Sequence, residues 1–231
     1  MSKEKRYKII NGFRHLMYDV QQQDEVLVES KSKTFFDHMN QRRSIRQFST
    51  KPVSKNTISY IIQTASTAPS GAHKQPWTFC AISNKELKSA IRKAAEEEER
   101  KNYSSRMSER WKEDLGPLGT DFNKDFLEKA PWLLVVFKKI YEFDNQNEKH
   151  NNYYVNESVG IAVGFLISAI HQAGLCTLTH TPSPMNFLEK ILNRPSNERA
   201  YLLMPIGYAA DETYVPDIHR KKLDEISQFF E

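Results

Sequence analysis

A chain of 231 residues is long enough for one sizeable domain or two small ones. Apolar residues make up 39% of the sequence and charged residues 27%, which suffices for a real core and excludes wholesale disorder. The net charge of +4 is a mild and dispersed basic excess. It permits an anionic ligand but argues against nucleic acid as a partner.

The cysteine content and the length of the apolar stretches bear on where in the cell the protein is located. Cys80 and Cys176 are too few for a disulfide framework or a CxxC zinc site, and both lie in apolar runs, so we expect buried thiols in a reducing environment. The N-terminal sequence MSKEKRYKIINGF has no apolar segment typical of a secretory signal. Residues 159–170 form the longest uncharged apolar stretch, which is shorter than the roughly 20 residues of a membrane span. We therefore expect a soluble, cytoplasmic protein that does not enter a membrane.

The N-terminal part of the chain changes character near residue 31. Residues 1–30 are polar and weakly periodic, and they predict an N-terminal extension that is ordered only when docked. Residues 31–231 predict the main domain, which starts with a helical pattern and the basic run QRRSIR. Ser54 is placed to cap the next helix, which ends in the loop TAPSGAH at residues 67–73.

A strand and a long helix follow this loop. WTFCAI at residues 77–82 is a short apolar run with strand propensity. Ser83 and Glu86 have the spacing of a capping box for a helix that starts there. The helical pattern runs on to Leu115 and is broken by the Gly and Pro residues directly after it.

The second half of the chain predicts the remaining sheet. WLLVVF at residues 132–137 is typical of a central strand, and residues 142–152 predict a polar loop. Residues 153–173 predict a helix that is apolar on nearly every face and must be covered on all sides. Further expected elements are a strand at 175–179, a helix at 186–192, a strand at 201–206 and an extended arm beyond Gly207. Strands that alternate with helices indicate an α/β or α+β domain.

Several sequence signatures of catalysis are missing. None of the eight glycines forms the GxGxxG or GxxxxGK[ST] fingerprint of nucleotide binding. The seven histidines do not have zinc-ligand spacing, and there is no GxSxG elbow. These absences disfavour hydrolases and metalloenzymes, and we predict no metal site.

The basic run offers one candidate binding site. Arg42, Arg43 and Arg46 surround Ser44, and guanidinium groups present donors that match the oxygens of a phosphate. The run alone equally fits a solvated basic turn at the end of a helix.

Four stretches resemble a known family. RRSIRQF, TAPSGAHKQPWTF, LTHTPSPMN and the late PIGY resemble the nitroreductase-type flavoproteins. The longer stretches TASTAPSGAHKQPWTF, EEEERKNYSSRM, NYYVNESVGIA and AGLCTLTHTPSPMNFL resemble the iodotyrosine deiodinase branch, from about Thr34 to the C-terminus. The resemblance implies an oxidoreductase that uses FMN to remove halide from halogenated tyrosines, with NADPH or another reductant.

The resemblance also implies a fold and an assembly. The expected fold is α+β and nitroreductase-like, with a central, mostly antiparallel sheet flanked by helices. Two subunits would form a domain-swapped homodimer with shared FMN sites. The arm at about residues 208–231 would embrace the partner, and the apolar helix 153–173 would lie at the interface.

Cofactor-binding residues are carried over position by position. The residues that the resemblance assigns to FMN are Arg42, Arg43, Ser44, Arg46, Pro69, Ser70, Gly71, Thr179, Thr181 and Arg220. The arginines would hold the phosphate and the polar edge of the ring, and Pro69 and Ser70 would line the flavin from the other subunit. The Thr181 hydroxyl would lie at the flavin N5.

A substrate clamp is implied at Glu99, Tyr103 and Lys124, in a lid at about residues 96–124. On a helix, Glu99 and Tyr103 share one face, and a halotyrosine zwitterion needs one anion and one cation. The backbone N–H of Ala72 would receive the phenolate oxygen. An acidic run such as this one is otherwise a solvated helix face.

Other readings remain open at this point. The main alternative is a general FMN-dependent NAD(P)H nitroreductase or quinone reductase on the same fold, against which the three clamp residues argue. A flavin-binding protein without turnover and a basic nucleic-acid module are further alternatives. We expect His73 and His180, which flank the ligand-facing loops, to have packing roles.

Overall fold

The computed structural model describes residues 6–18 and 21–231, so positions 1–5 and 19–20 of the predicted N-terminal extension lie outside the described residues. The chain forms two compact units, Met1–Gln41 and Arg42–Glu231. The predicted domain boundary after residue 30 stays a prediction.

The first unit contains a hairpin and a helix. Strands β1 (Tyr7–Ile10) and β2 (Phe13–Leu16) pair in antiparallel fashion, and helix α1 spans Glu25–Asn40. The helix therefore begins earlier than the helical pattern predicted from residue 31. Its start is fixed by Asp24, whose side chain accepts a hydrogen bond of 2.9 Å from the Val26 N–H.

The second unit contains the main sheet and its flanking helices. In chain order its elements are α2 (Lys55–Ser66), β3 (Trp77–Ile82), α3 (Lys85–Lys101), α4 (Glu109–Leu115), α5 (Phe126–Lys129), β4 (Trp132–Lys139), β5 (Tyr141–Phe143), β6 (Lys149–Asn151), α6 (Val155–Gln172), β7 (Cys176–Thr177), α7 (Asn186–Ile191) and β8 (Glu198–Gly207). The sheet has the order β3-β4-β8-β7, and every pairing in it is antiparallel. The predicted strand 77–82 is confirmed, whereas β7 is shorter and β8 longer than predicted.

Strand β4 is the centre of the core. Leu134 and Val136 pack on one face of the sheet with α2 and α6. Leu133, Val135 and Phe137 pack on the other face with α3, α5 and α7. Because side chains alternate along a strand, a strand buried on both faces needs a continuous apolar run. The prediction of a central strand and of a sheet flanked by helices is confirmed.

The helix starts follow local hydrogen bonding. Ser54 caps α2 as predicted, since its hydroxyl accepts from the Thr57 N–H at 3.1 Å. The predicted capping box at Ser83 is wrong by one residue. Asn84 is the cap of α3, and its Oδ1 accepts from the Leu87 N–H at 2.8 Å.

The predicted uninterrupted helix to Leu115 is wrong. Helix α3 passes into a π-helical turn, Asn102–Arg106, and the chain becomes extended at Met107 before α4 begins. The Ser104 and Ser105 hydroxyls both donate to the Lys101 carbonyl, at 3.2 and 3.0 Å. Such side-chain bonds compete with the regular helical ladder.

The predicted polar loop at 142–152 is a small hairpin. Strands β5 and β6 pair around Asp144, whose carboxylate accepts from the Gln146 and Glu148 N–H groups at 2.9 and 2.8 Å. Both strands are largely polar and solvent-exposed, so they lack the apolar alternation that signals a strand.

Helix α6 is only partly covered by its own chain. Val159 and Leu166 are buried in the core, whereas Ile161 and Phe165 remain 43% and 40% exposed. Gly164 lies between these two exposed side chains on the same face. Among the residues described, no helix combines the length and apolar character needed to cross a bilayer.

The two cysteines are unpaired and half-buried. Cys80 lies in β3 and Cys176 in β7. Burial raises the pKa of both thiols above the ordinary value.

Candidate functional site

One cavity of the second unit has a volume of about 580 Å³. It lies between the C-terminal end of α3 with the π turn and α4 on one side and the loop after β7 on the other. Its wall includes Arg46, Glu99, Asn102, Tyr103, Arg106, Trp111, Thr120, Lys124, Phe126, Thr179, His180, Thr181 and Ser183. All three predicted clamp residues and both predicted threonines therefore line one cavity.

Glu99 and Lys124 form an ion pair inside this cavity. Glu99 Oε2 lies 3.8 Å from Lys124 Nζ, and the two residues are only 7% and 3% exposed. The ammonium also donates to Thr120 Oγ1 at 3.2 Å and to the Asp121 carbonyl. The Lys124 backbone N–H donates to Glu96 Oε1 at 2.8 Å, which fixes the chain where it enters the cavity.

Burial opposes both charges. Desolvation raises the pKa of Glu99, and the neighbouring Lys124 counteracts part of this shift. Desolvation likewise lowers the pKa of Lys124, against the opposing effect of Glu99. Burial also lowers the pKa of Arg46 on the same wall. The cavity thus holds charges that a dipolar ligand would stabilise.

Tyr103 lies in the π turn and not in a regular helix. The wider turn still places it on the cavity side, four residues after Glu99. Its hydroxyl donates to the Thr120 carbonyl at 3.0 Å, which joins the π turn to the segment between α4 and α5. Burial and the Glu99 carboxylate raise the pKa of Tyr103, which keeps the phenol neutral.

The arginines of the basic run line a second, smaller cavity of about 220 Å³. Arg42, Arg43, Ser44 and Arg46 line it together with Arg220. None of its described lining residues is acidic. Burial, followed by the charges of Arg220 and Arg43, lowers the pKa of Arg42. Crowded guanidinium groups of this kind are typical of an anion site.

The C-terminal arm and β7 position these arginines. The Arg220 guanidinium donates to the Arg42 carbonyl at 2.9 Å, and the Arg43 guanidinium donates to the Pro216 carbonyl. Ser44 forms a parallel bridge with Thr177 of β7. Arg46 lines both cavities, so the arginine-lined cavity and the larger cavity are adjacent.

The loop after β7 is fixed to the sheet at His180. The His180 and Leu203 backbones exchange two hydrogen bonds, at 2.9 and 3.0 Å, and the imidazole packs edge-on against Phe126 at 5.8 Å. Burial, with the charges of Lys124 and Arg46, lowers the pKa of His180 to about 3. The imidazole is therefore neutral at physiological pH.

The predicted loop residues Pro69, Ser70, Gly71 and Ala72 do not line either cavity in this chain. The loop is nevertheless tightly built, because Ala72 has a φ of 48° and a Cβ on Gly71 would lie 2.9 Å from the Tyr153 carbonyl oxygen. Left-handed non-glycine residues cost energy and are enriched at functional sites.

The family model that matches this chain is that of the nitroreductase family, over residues 39–208. The iodotyrosine deiodinase of Haliscomenobacter hydrossis is 57% identical over 83% of this chain and 86% of its own length. The chain belongs to the nitroreductase family, in its iodotyrosine deiodinase branch.

Other relatives are less similar to this chain in sequence. Iodotyrosine deiodinase 1 of Homo sapiens is 41% identical over 92% of this chain and 74% of its own length. A crystal structure of oxidised iodotyrosine deiodinase bound to FMN and 3-iodo-L-tyrosine superposes with a TM-score of 0.74 at 30% identity, over 84% of this chain and all of that one. A nitroreductase-like protein of Streptococcus mutans, at 15% identity and a TM-score of 0.64, shares the fold alone.

The structure of this nitroreductase family member adds cavity residues that the sequence analysis missed. They are Asn102, Arg106, Trp111, Thr120 and Ser183. Four of them, all except Ser183, lie in the segment predicted to form the lid, where the predicted straight helix assigned no inward position to Asn102. The NYSSR stretch, with polar residues directly after a long charged helix, was the available signal for a change in helix geometry.

Proposed function

We propose that this protein removes halide reductively from halogenated tyrosines, with FMN as its cofactor. The observation that carries the proposal is the buried Glu99–Lys124 pair, 3.8 Å apart, in a cavity adjacent to an arginine-lined anion site. A halotyrosine is a zwitterion with an aromatic ring, so its charges match the pair. The relatives called iodotyrosine deiodinases support the same activity.

The clamp recognises the amino-acid end of the substrate. Glu99 would accept from the substrate ammonium, and Lys124 would donate to the substrate carboxylate. Tyr103 would close over the ring while its hydroxyl remains bonded to the lid segment at Thr120. Because the new contacts replace an existing ion pair, a ligand must satisfy both charges to close the lid.

The anion site fits the phosphate of FMN. Arg42, Arg43 and Arg220 converge on it without an acidic lining residue, and their mutual repulsion is relieved by an anion. Arg46, shared with the larger cavity, would hold the polar edge of the flavin ring. The Thr181 hydroxyl would lie at the flavin N5, with Thr179 nearby.

Held by these residues, reduced FMN would supply the two electrons that, together with a proton, replace the carbon–halogen bond by a carbon–hydrogen bond and release halide. The protein binds the substrate, orients its ring and excludes water by closing the lid. The Ala72 N–H would donate to the phenolate oxygen and so favour the ionised phenol.

A homodimer would bring Ala72 to the site. Pro69, Ser70 and Gly71, which lie away from both cavities of their own chain, would line the flavin of the partner subunit. The exposed side chains of α6, Ile161 and Phe165, support such an interface, as do Phe229 and Phe230 in the arm, which are 72% and 87% exposed.

The electron donor and the compartment complete the proposal. We take NADPH or another reduced nicotinamide as the reductant, which would enter the same cavity transiently because the chain has no nicotinamide fingerprint. The two unpaired thiols support a cytoplasmic, reducing environment.

Titration of the FMN-loaded protein with 3-iodotyrosine tests the proposal, with tyrosine as the control ligand. We expect saturable quenching of flavin emission by 3-iodotyrosine, because its ring would stack on the flavin beneath the lid. Retention of FMN without any response to 3-iodotyrosine would indicate a general reductase instead. Failure to bind FMN would contradict the proposal altogether.

A further inference from the structure

The loop that carries Thr181 is held at two points. On one side, the His180 backbone is bonded twice to Leu203 in β8. On the other side, the Ser183 N–H donates to the Thr181 carbonyl at 2.8 Å, and the Ser183 carbonyl accepts from Asn102. Thr181 thus lies between an attachment to the sheet and an attachment to the lid.

Asn102 is the lid side of the second attachment. Its Nδ2 donates to the Ser183 carbonyl at 2.9 Å, and its Oδ1 accepts from Arg106 at 3.3 Å. Arg106 in turn pairs with Glu98 at 2.8 Å. Asn102 is 8% exposed, whereas its lid neighbours Lys101 and Ser104 are exposed. An amide bonded on both sides has a defined orientation.

The hydrogen bond from Asn102 to Ser183 connects the clamp residues to the loop that carries Thr181. Asn102 lies between Glu99 and Tyr103, the two clamp residues contributed by α3 and the π turn. A rearrangement of Glu99 and Tyr103 around a ligand therefore acts on the same turn that holds Ser183. Since Ser183 is bonded to Thr181, the disturbance reaches the hydroxyl expected at the flavin.

We propose that Asn102 is a positioning residue that couples closure of the lid over substrate to the placement of the Thr181 hydroxyl. The inference rests on the proposed function. It assigns no contact between Asn102 and substrate or cofactor. Asn102 acts through the Ser183 carbonyl, and its removal leaves the lid and the loop free to move separately.

The test uses Asn102→Asp, which keeps the size and Oδ1 of the side chain but replaces the donating amide by a carboxylate that repels the Ser183 carbonyl. Ser104→Ala is the matched control, because Ser104 is in the same π turn and its hydroxyl bonds only locally, to the Lys101 carbonyl. Glu99→Gln is the comparison for loss of substrate affinity alone.

The first readout is the visible absorption band of the oxidised, FMN-loaded protein at saturating 3-iodotyrosine. We expect Asn102→Asp to lose the spectral change that wild type shows, while Glu99→Gln recovers it at higher ligand concentration. The second readout is hydrogen exchange of residues 179–184 in the FMN-free protein, which we expect to be about tenfold faster in Asn102→Asp and unchanged in Ser104→Ala.

The outcomes separate this inference from the proposed function. A wild-type spectral change and wild-type exchange in Asn102→Asp would overturn the role of Asn102 and leave the proposed function standing. If 3-iodotyrosine did not change the flavin spectrum of the wild-type protein, both the role of Asn102 and the proposed function would be overturned.

Discussion

The Glu99 carboxylate and the Lys124 ammonium are each other's counter-charge, 3.8 Å apart and almost fully buried. Removing one partner of a buried pair leaves an uncompensated charge. A ligand with only one charge has the same effect, because it satisfies one partner and strands the other. We therefore expect the pair to discriminate in favour of amino-acid zwitterions over simple phenols.

Glu99→Gln tests this discrimination. We expect the affinity for 3-iodotyrosine to fall about 10- to 100-fold, because the variant lacks the anion that would accept from the substrate ammonium. FMN retention should be unchanged, since Glu99 does not line the arginine cavity. The measurement is the titration of flavin emission in both proteins.

Glu97→Gln is the matched control for this variant. Glu97 lies on the same helix, but its carboxylate pairs with Lys101 at the surface, and its side chain is 67% exposed. We expect its affinity for 3-iodotyrosine to stay within about twofold of wild type, as is usual for exposed pairs. Equal losses in both variants would contradict a specific role for Glu99.

His180 makes stability depend on pH. Its pKa in the folded protein is about 3, below the ordinary value of about 6.5, so the unfolded chain binds a proton that the folded chain does not. The contribution of His180 is present above pH 6.5 and is lost as the pH falls towards 3. Between pH 6.5 and 5 this amounts to about 2 kcal/mol.

Urea unfolding at pH 7 and pH 5, at constant saturating FMN, measures this contribution. We expect His180→Gln to lose about 2 kcal/mol less than wild type between the two pH values. His73→Gln, which alters an exposed histidine, should follow wild type. Parallel pH dependence of the His180 variant and wild type would be incompatible with a buried neutral imidazole.

Arg42→Ala tests the anion site. We expect FMN to be retained at least about tenfold more weakly, because a charge-assisted bond to phosphate is lost, whereas the Arg42 carbonyl that accepts from Arg220 is kept in the variant. Lys221→Ala is the control, since Lys221 is exposed, directly follows Arg220 and does not line the cavity. Equilibrium dialysis of FMN against both variants is the measurement. Equal retention of FMN by Arg42→Ala and wild type would exclude the arginine cavity as the phosphate site.

The arm prediction concerns Phe229 and Phe230. Both are exposed on their own chain, so replacing them by Ser should have little effect on an isolated subunit. In a dimer that buries them, we expect the double substitution to weaken association at least about tenfold in sedimentation velocity. Phe143→Ser, at another exposed phenylalanine, is the control, and an unchanged dimer in the arm variant would argue against an embracing arm.

The core of the fold was predictable because its signals are local. Leu133 to Phe137 are apolar without interruption, as a strand covered on both faces requires. Ser54 predicted the start of α2, because serine is a common N-cap residue. The hairpin around Asp144 was not predicted. Its strands are held by the turn and by backbone pairing, so their sequences carry no alternation of apolar and polar residues.

The three clamp residues of the candidate site were predictable, but their arrangement was not. The family resemblance singled out Glu99, Tyr103 and Lys124, and all three line one cavity. No short-range sequence pattern indicates that Glu99 and Lys124 pair with each other. Their pairing depends on the path of the chain between α4 and α5, which brings Lys124 next to α3. Asn102 was overlooked because its inward direction arises from the π turn.

The raised thiol pKa values of Cys80 and Cys176 have a practical consequence. Maleimide reagents attack thiolates, so both native cysteines should label slowly at neutral pH. A cysteine introduced at the exposed Ser105 would then react selectively. Spin labels or fluorophores could thus be attached to the lid of an otherwise native chain, and its opening followed directly in solution.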